Sequence, residues 1–272
     1  MTIRSPKSNA RPPNETSFKV VQFNMQFGQI WDEANPDHAP VNLELTIEEI
    51  RSHNADILLL QEVEHAQPGG MQIEPPPNFT RLQKALPEYV GHFSYPRADA
   101  RELPFGIGLA IFSKTPLTDV MRSDLPSPHV EFEFMGETKT PTDRLLIGAK
   151  TMIAGRELQI FNTHLLALFM LNAETMDHPM QRRRVIEMVK NSHGPTICAG
   201  DFNVVAHEGL LRQFAVAGFQ TVQSEEVTWR RYPIVPDHIF YNGHLRPLNH
   251  AVKPTPASDH HVLTAEFEFL DC

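Results

Sequence analysis

Short apolar runs, most of them closed by an amide, a carboxylate or a histidine, recur along the whole chain. Residues 18–23 form the first and stop at Asn24; 56–60 form the second and pass through Gln61 into Glu62. Runs this short, with no 3.6-residue repeat, predict buried strands. Further strands are predicted at 108–112, 130–134, 145–153 and 158–161, the last two joined at Ala154-Gly155-Arg156 as an antiparallel hairpin. Thr196-Ile197-Cys198 leads into Asp201, and runs at 239–241 and 262–269 complete the series. Leu43, Ile47 and Ile50 recur at helical spacing, as do Phe79, Leu82 and Leu86 behind Asn78, which reads as their N-cap. Val185, Met188 and Val189 predict a third helix, and 209–217, closed by Gly218, a fourth. Residues 67–78 hold four prolines and two glycines, which predicts an irregular surface loop. No repeat or linker interrupts this order, so a layered α/β or α+β fold is expected, neither a bundle nor a strict βαβ alternation.

Composition adds limits. A chain of 272 residues is long enough for a substantial core, and we read 1–16 as a flexible polar tail and 17–272 as one catalytic domain. The tail lacks the apolar stretch of a secretory signal. The longest unbroken apolar run, residues 165–171, falls far short of the ~20 residues a membrane span needs. No stable membrane insertion is therefore expected. The two cysteines, Cys198 and Cys272, make neither a disulfide framework nor a metal-ligand spacing, and a cytoplasmic location is expected. A formal charge of −9 argues against coating nucleic acid by bulk electrostatics. It leaves room for a nuclease whose cleft is rebalanced by bound cations.

The candidate chemistry lies where the runs end. Ala199-Gly200-Asp201-Phe202-Asn203 delivers a carboxylate and an amide side by side at a sheet edge, able to hold a divalent cation or orient water. Ser258-Asp259-His260 repeats the arrangement and adds a group that titrates near neutrality. Asn24, Glu62, His164 and Asp237 each stand beside another strand run. Alternation points His238 away from Asp237, and only one of His260 and His261 can face the site; we assign His260.

In this order the pieces Val21-Gln22-Phe23-Asn24, Leu60-Gln61-Glu62, 108–114, Asn162-Thr163-His164-Leu165 and Gly200-Asp201-Phe202-Asn203 resemble the endonuclease/exonuclease/phosphatase superfamily. Thr228-Trp229, Asp237-His238-Ile239 and Ser258-Asp259-His260 continue the resemblance, which runs from about residue 18 to 269. It implies a four-layer α/β/β/α sandwich: two mixed β-sheets packed face to face, with helices outside. It also implies a Mg²⁺-dependent phosphoesterase, Mn²⁺ substituting. Glu62 and Asn24 would hold the main ion, Asp201 and Asn203 a water or second ion, and Asp259 with His260 would complete the metal side. His260, oriented by Asp237, would be the general base, or would clamp phosphate if Asp201 takes the proton; His164 would bind a non-bridging oxygen. Asn162, Arg144 and Arg231 are assigned to substrate. One departure stands out: Val235 occupies the place, two before Asp237, where many members carry a basic residue. Arg230, Arg231, Arg144 or one of Arg182 to Arg184 would have to supply that charge.

The expected substrate is a phosphoester, with nucleic acid first. A phospholipid or small phosphorylated molecule is the alternative, prompted by the apolar stretch 165–171 directly after His164. A binding module that has lost its chemistry fits less well, because every expected position is filled. No protein partner can be inferred.

Overall fold

The computed structural model describes residues 17–173 and 177–270, so the tail assigned to 1–16 and the terminal Cys272 lie outside the described residues. The strands are β1 (Ser17–Asn24), β2 (Ile57–His65), β3 (Val90–Ser94), β4 (Gly106–Ser113), β5 (Leu117–Leu125), β6 (Phe132–Phe134), β7 (Glu137–Lys139), β8 (Arg144–Ile153), β9 (Arg156–His164), β10 (Thr196–Asp201), β11 (Phe219–Thr221), β12 (Asp237–Asn242), β13 (Leu245–Lys253) and β14 (Val262–Phe269). The helices are α1 (Leu43–Ser52), α2 (Pro77–Ala85), α3 (Met180–Lys190) and α4 (Glu208–Val216). One mixed sheet runs β13-β14-β1-β2-β4-β3 and the other β11-β12-β10-β9-β8-β5, while β6 and β7 form a separate ribbon.

Alternation along the strands explains the layers. Val20, Leu59 and Ile111 of the first sheet meet Ile147, Ile160 and Ile197 of the second in a core between the sheets. Their neighbours Val21, Phe23, Leu58 and Leu60 turn the other way, onto Leu43, Ile47 and Ile50 of α1 and Leu82 of α2. On the second sheet Leu146, Cys198 and Phe240 face Val185 and Val189 of α3 and Phe214 of α4. The strands read as unbroken apolar runs because both of their faces are covered. The fold is the expected α/β/β/α sandwich. Among the described residues no helix is long and apolar enough to cross a membrane.

Each sheet has one parallel pair at its centre, β1 with β2 and β9 with β10, each joined through a helix. Parallel pairing brings both C-terminal ends to one edge: Asn24 opposite Gln61, and Asp201 opposite His164. The antiparallel β12 begins at that edge, with Asp237 opposite Asp201. Strand direction alone thus collects side chains from distant parts of the chain.

Several expectations needed correction. β2 does not stop before Glu62 but continues to His65 across a bulge, which puts Glu62 at a positive φ of 50°. Asn78 is not a cap. It lies inside α2 behind Pro76, and its amide donates to the carbonyls of Phe27 and Val63. The predicted strand 130–134 is real only over 132–134. Strands β3, β5, β7, β11 and β13 were not foreseen; β5 and β13 are sheet edges with largely exposed polar positions, and β13 carries Pro247 beside a bulge. The stretch 165–171 is not an exposed apolar lip: Leu165, Leu166 and Leu168 are buried, residues 168–171 form a short 3₁₀ turn, and Met170 is the side chain it shows to solvent.

Candidate active site

Glu62 and Asp201 come from different sheets and meet on one side chain. The Nδ2 of Asn24 lies 3.0 Å from Glu62 Oε1 and 3.0 Å from Asp201 Oδ2, so a single amide donates to both carboxylates. Two close approaches permit this. A Cβ on Gly106 would stand 2.2 Å from Glu62 Oε2, and one on Gly200 would stand 2.0 Å from the Thr163 carbonyl oxygen. Only glycine leaves Glu62 its place and lets β10 run so close to β9. Asp201 Oδ1 accepts from the backbone N–H of Asn203, whose own amide donates to Leu165 O.

Beside this group stands a carboxylate–imidazole pair. His260 Nδ1 is 2.8 Å from Asp237 Oδ2, and His260 Nε2 faces Asp201 Oδ2 at 3.7 Å. Burial works against the imidazolium, but the charge and hydrogen bond of Asp237, with Asp201 and Asp259 nearby, raise His260 to about 10. His164 Nε2 lies 3.6 Å from Asp201 Oδ2 and 3.9 Å from Glu62 Oε1. Burial, with Arg144 and His260 close by, holds it well below the ordinary histidine range, so His164 is neutral and these approaches are not ion pairs. Burial and the charge of Asp259 lift Glu62 to about 7; burial and Asp237 lift Asp201 to about 6.

Asp259 completes the group from outside. Its Oδ2 accepts from Arg231 Nε at 2.6 Å and from Trp229 Nε1 at 3.1 Å, and its backbone N–H meets Gln26 Oε1. Ligand atoms of Asp201, Asp237 and His260 lie within 4.8 Å of one another and could hold a cation. Asp237 and His260 already satisfy each other, however, whereas Glu62, Asp201 and Asp259 are crowded acids with raised or shared oxygens. The latter set suits a hard divalent cation better. A concavity of about 470 Å³ between Val189, Phe219 and His244 lies at the opposite ends of β10 and β12 and has no carboxylate.

Two substrate assignments fail on geometry. Asn162 is fully buried; its Nδ2 donates to Leu60 O and Ala110 O and its Oδ1 accepts from Gln61 Nε2, so nothing remains for a ligand. Arg231 is held by Asp259, by Asp37 and by Pro36 O, and acts on Asp259 rather than on substrate. Arg144 fits better. It stands at the start of β8 next to His164, its nearest acid is Glu102 at 3.9 Å, and its buried Nε has no hydrogen-bond partner among the described residues. Arg182, one of the candidates for the missing positive charge, is buried in α3.

The sequence reading missed the support behind the pair. Gln22 Nε2 donates to Asp237 Oδ1 and to Gln61 Oε1, and Gln61 passes the chain on to Asn162. These buried amides cross from one sheet to the other and fix the face of Asp237 turned away from His260. Glutamines inside apolar strands were the available signal, since a buried amide needs partners.

His238 turns from the site, stacks on Phe240 and meets Thr221 Oγ1 through Nδ1. Burial and the neighbouring His207 depress it to about 4. A histidine depressed on folding stabilises the fold above its unfolded pKa and loses that contribution as pH falls through the folded value. Between about pH 6.5 and 4 the wild type should therefore lose up to ~3 kcal/mol that His238→Phe does not. Urea unfolding of both proteins across that range measures it; parallel curves would refute it.

The model of the endonuclease/exonuclease/phosphatase family matches residues 21–260. No curated protein matches the sequence. Among solved structures, an endonuclease/exonuclease/phosphatase from Beutenbergia cavernae superposes with a TM-score of 0.67 at 18% identity, covering 93% of this chain and 72% of its own. The human Nocturnin catalytic domain with bound sulfate gives 0.62 at 22% identity, covering 93% and 95%. ANGEL2, a 2′,3′-cyclic phosphatase in complex with adenosine-2′,3′-vanadate, gives 0.60 at 16% identity, covering 93% and 96%.

Proposed function

The chain belongs to the endonuclease/exonuclease/phosphatase family, and we propose that it is a Mg²⁺-dependent phosphodiesterase acting on nucleic acid, with Mn²⁺ able to substitute. Members of this family are hydrolytic phosphoesterases. The observation that carries the proposal is the Asn24 amide shared by Glu62 and Asp201, with the Asp237–His260 pair at its side.

Glu62, Asp201, Asn24 and Asp259 are the residues that would hold the cation. Bound there, it would supply positive charge for the phosphate oxygens and the leaving oxygen. The fit rests on the donor set: carboxylate and amide oxygens, no thiolate, and the Glu62 and Asp201 carboxyls pushed upward by burial and by neighbouring carboxylates, which is the electrostatic situation a cation relieves.

The chain's own groups account for the rest. Asp237 holds the imidazole of His260 by Nδ1, so that Nε2 points toward Asp201. Asp201 Oδ2, lifted to about 6, is the atom suited to take a proton from an attacking water, while His260, kept protonated by Asp237, can donate from Nε2 to a phosphate oxygen. The neutral His164 can donate from Nε2 to a non-bridging phosphate oxygen, and Arg144 adds a cation on that flank. Asn203 keeps Asp201 oriented through its backbone N–H.

Nucleic acid is favoured over lipid because the apolar stretch after His164 mostly packs inward, which removes the greasy lip a bilayer would need. The ANGEL2 relative, solved with adenosine-2′,3′-vanadate, points the same way. Incubation with plasmid DNA, single-stranded DNA, sphingomyelin and bis-p-nitrophenyl phosphate, with Mg²⁺ or with EDTA, tests the proposal. Metal-dependent cleavage of nucleic acid and of the aryl diester is expected; cleavage of the lipid alone would overturn it.

A further inference from the structure

A row of aromatic rings leads outward from the imidazole of His260. The indole of Trp229 packs against that imidazole with centroids 5.9 Å apart and planes 31° apart. Tyr232 stacks on the indole in turn, at 5.7 Å and 29°. Phe169 meets the indole edge-on at 5.9 Å, and Met170, 58% exposed, follows it in the chain.

The row is held firmly at its inner end. Trp229 Nε1 donates to Asp259 Oδ2, and Trp229 bridges to both His260 and Ile234. Thr228 N–H donates to Ile234 O and Ile234 N–H to Tyr232 O, so residues 230–233 form a turn strapped at its base. Its outer end is open: Tyr232 is 61% exposed although it is a large ring held in a fixed turn. A phenol so placed offers one free π-face, in line with a stack that starts at a candidate catalytic group.

Accepting the nucleic-acid reading of the preceding subsection, we infer that Tyr232, backed by Trp229, stacks a base of a single-stranded oligonucleotide substrate. Two ring-to-ring steps put Tyr232 at most about 12 Å from His260, which assigns the base to a nucleotide roughly one or two positions from the scissile phosphate. A duplex keeps its base faces stacked internally and offers none to Tyr232; an unpaired strand does. The neighbouring cations do not compete for this role. Arg230 donates to Thr255 O, and Arg231 is bound to Asp259 and Asp37. Recognition at this position is therefore by stacking, and its contribution should change little with salt, unlike phosphate contacts.

The test compares wild type, Tyr232→Ala and Tyr232→Phe on short single-stranded DNA and RNA, on the same oligomers carrying one abasic residue at successive positions, and on bis-p-nitrophenyl phosphate. Tyr232→Ala should lose about 5- to 100-fold in kcat/KM on intact oligomers, mostly through KM and equally at low and high salt. Tyr232→Phe should restore it, and the aryl diester should be hydrolysed alike by all three. An abasic residue at one position should cost the wild type a similar factor and cost Tyr232→Ala nothing further. If the wild type cleaves oligomers and Tyr232→Ala matches it, the stacking assignment is wrong while the nuclease reading stands. If the wild type cleaves the aryl diester but no oligomer, both are wrong.

Discussion

Replacing His260 by alanine, or Asp201 by asparagine, is expected to lower turnover by about 10²- to 10⁴-fold or more. Both side chains face the point where the two sheets deliver their polar ends, and His260 Nε2 and Asp201 Oδ2 face each other at 3.7 Å. Alanine at 260 removes the proton carrier and leaves Asp237 as a buried carboxylate held by the Gln22 amide. Asparagine at 201 is the milder change in shape. It keeps an oxygen for the Asn203 backbone N–H but removes the charge that faces His260, His164 and Asn24. The fold should survive in both cases, because Asp201 and His260 contribute nothing to the apolar cores. Steady-state rates on bis-p-nitrophenyl phosphate, with circular dichroism as a check on folding, decide the matter. Turnover near that of the wild type in either variant would remove that residue from the chemistry.

The ends of the buried strands were legible because burial on both faces leaves an unbroken apolar run, and the run's end is where a polar side chain becomes tolerable. Asn24, Asp201 and Asp237 were found in this way; the parallel pairs β1–β2 and β9–β10 and the antiparallel start of β12 carry them to the same edge. Glu62 was found as well, though the bulge that aims it was not, since a bulge leaves no mark on the hydrophobic pattern. Edge strands were lost for the opposite reason. β5 and β13 pair on one side only and show polar side chains to solvent, so their pattern resembles that of a loop.

Roles proved harder to read than positions. Asn162 and Asp201 are both polar residues of central strands, yet Asn162 faces inward and joins the sheets while Asp201 closes its strand in the site. Both lie on the face shared by Ile160, Ile197 and Ala199, so depth along the strand decides between them: Asn162 pairs with Ala199 inside the sheet, whereas Asp201 pairs with His164 at its edge. Arg231 was assigned to substrate because it lies just after Trp229 in the chain and could supply the positive charge that Val235 lacks. Its partners, Asp37 and Asp259, lie far from it in opposite chain directions. Through Arg231 the chain neutralises a site carboxylate with a cation from the turn after Trp229.

Removing the Glu62 carboxylate should have opposite effects on metal binding and on stability. Glu62→Gln keeps an oxygen for the Asn24 amide but takes one negative charge from a cluster that includes Asp201 and Asp259. Mg²⁺ affinity and turnover should fall by about 100-fold or more, as for loss of a charged ligand. The metal-free protein should behave otherwise. Burial and Asp259 raise the Glu62 carboxyl to about 7, so its ionisation opposes folding. For a carboxyl raised on folding, the fold is unaffected below the unfolded pKa and loses stability as pH rises through the folded one. Between about pH 4.5 and 8 the wild type in EDTA should therefore lose up to ~3 kcal/mol that Glu62→Gln retains. Added Mg²⁺ should return that stability to the wild type and give the variant little, because a ligand stabilises only a fold that binds it. Urea unfolding of both proteins at pH 5 and pH 8, with EDTA or Mg²⁺, measures these differences. A variant less stable than the wild type at pH 8 in EDTA would show that Glu62 serves the fold, and the cation site would have to be sought around Asp201, Asp237 and His260 instead.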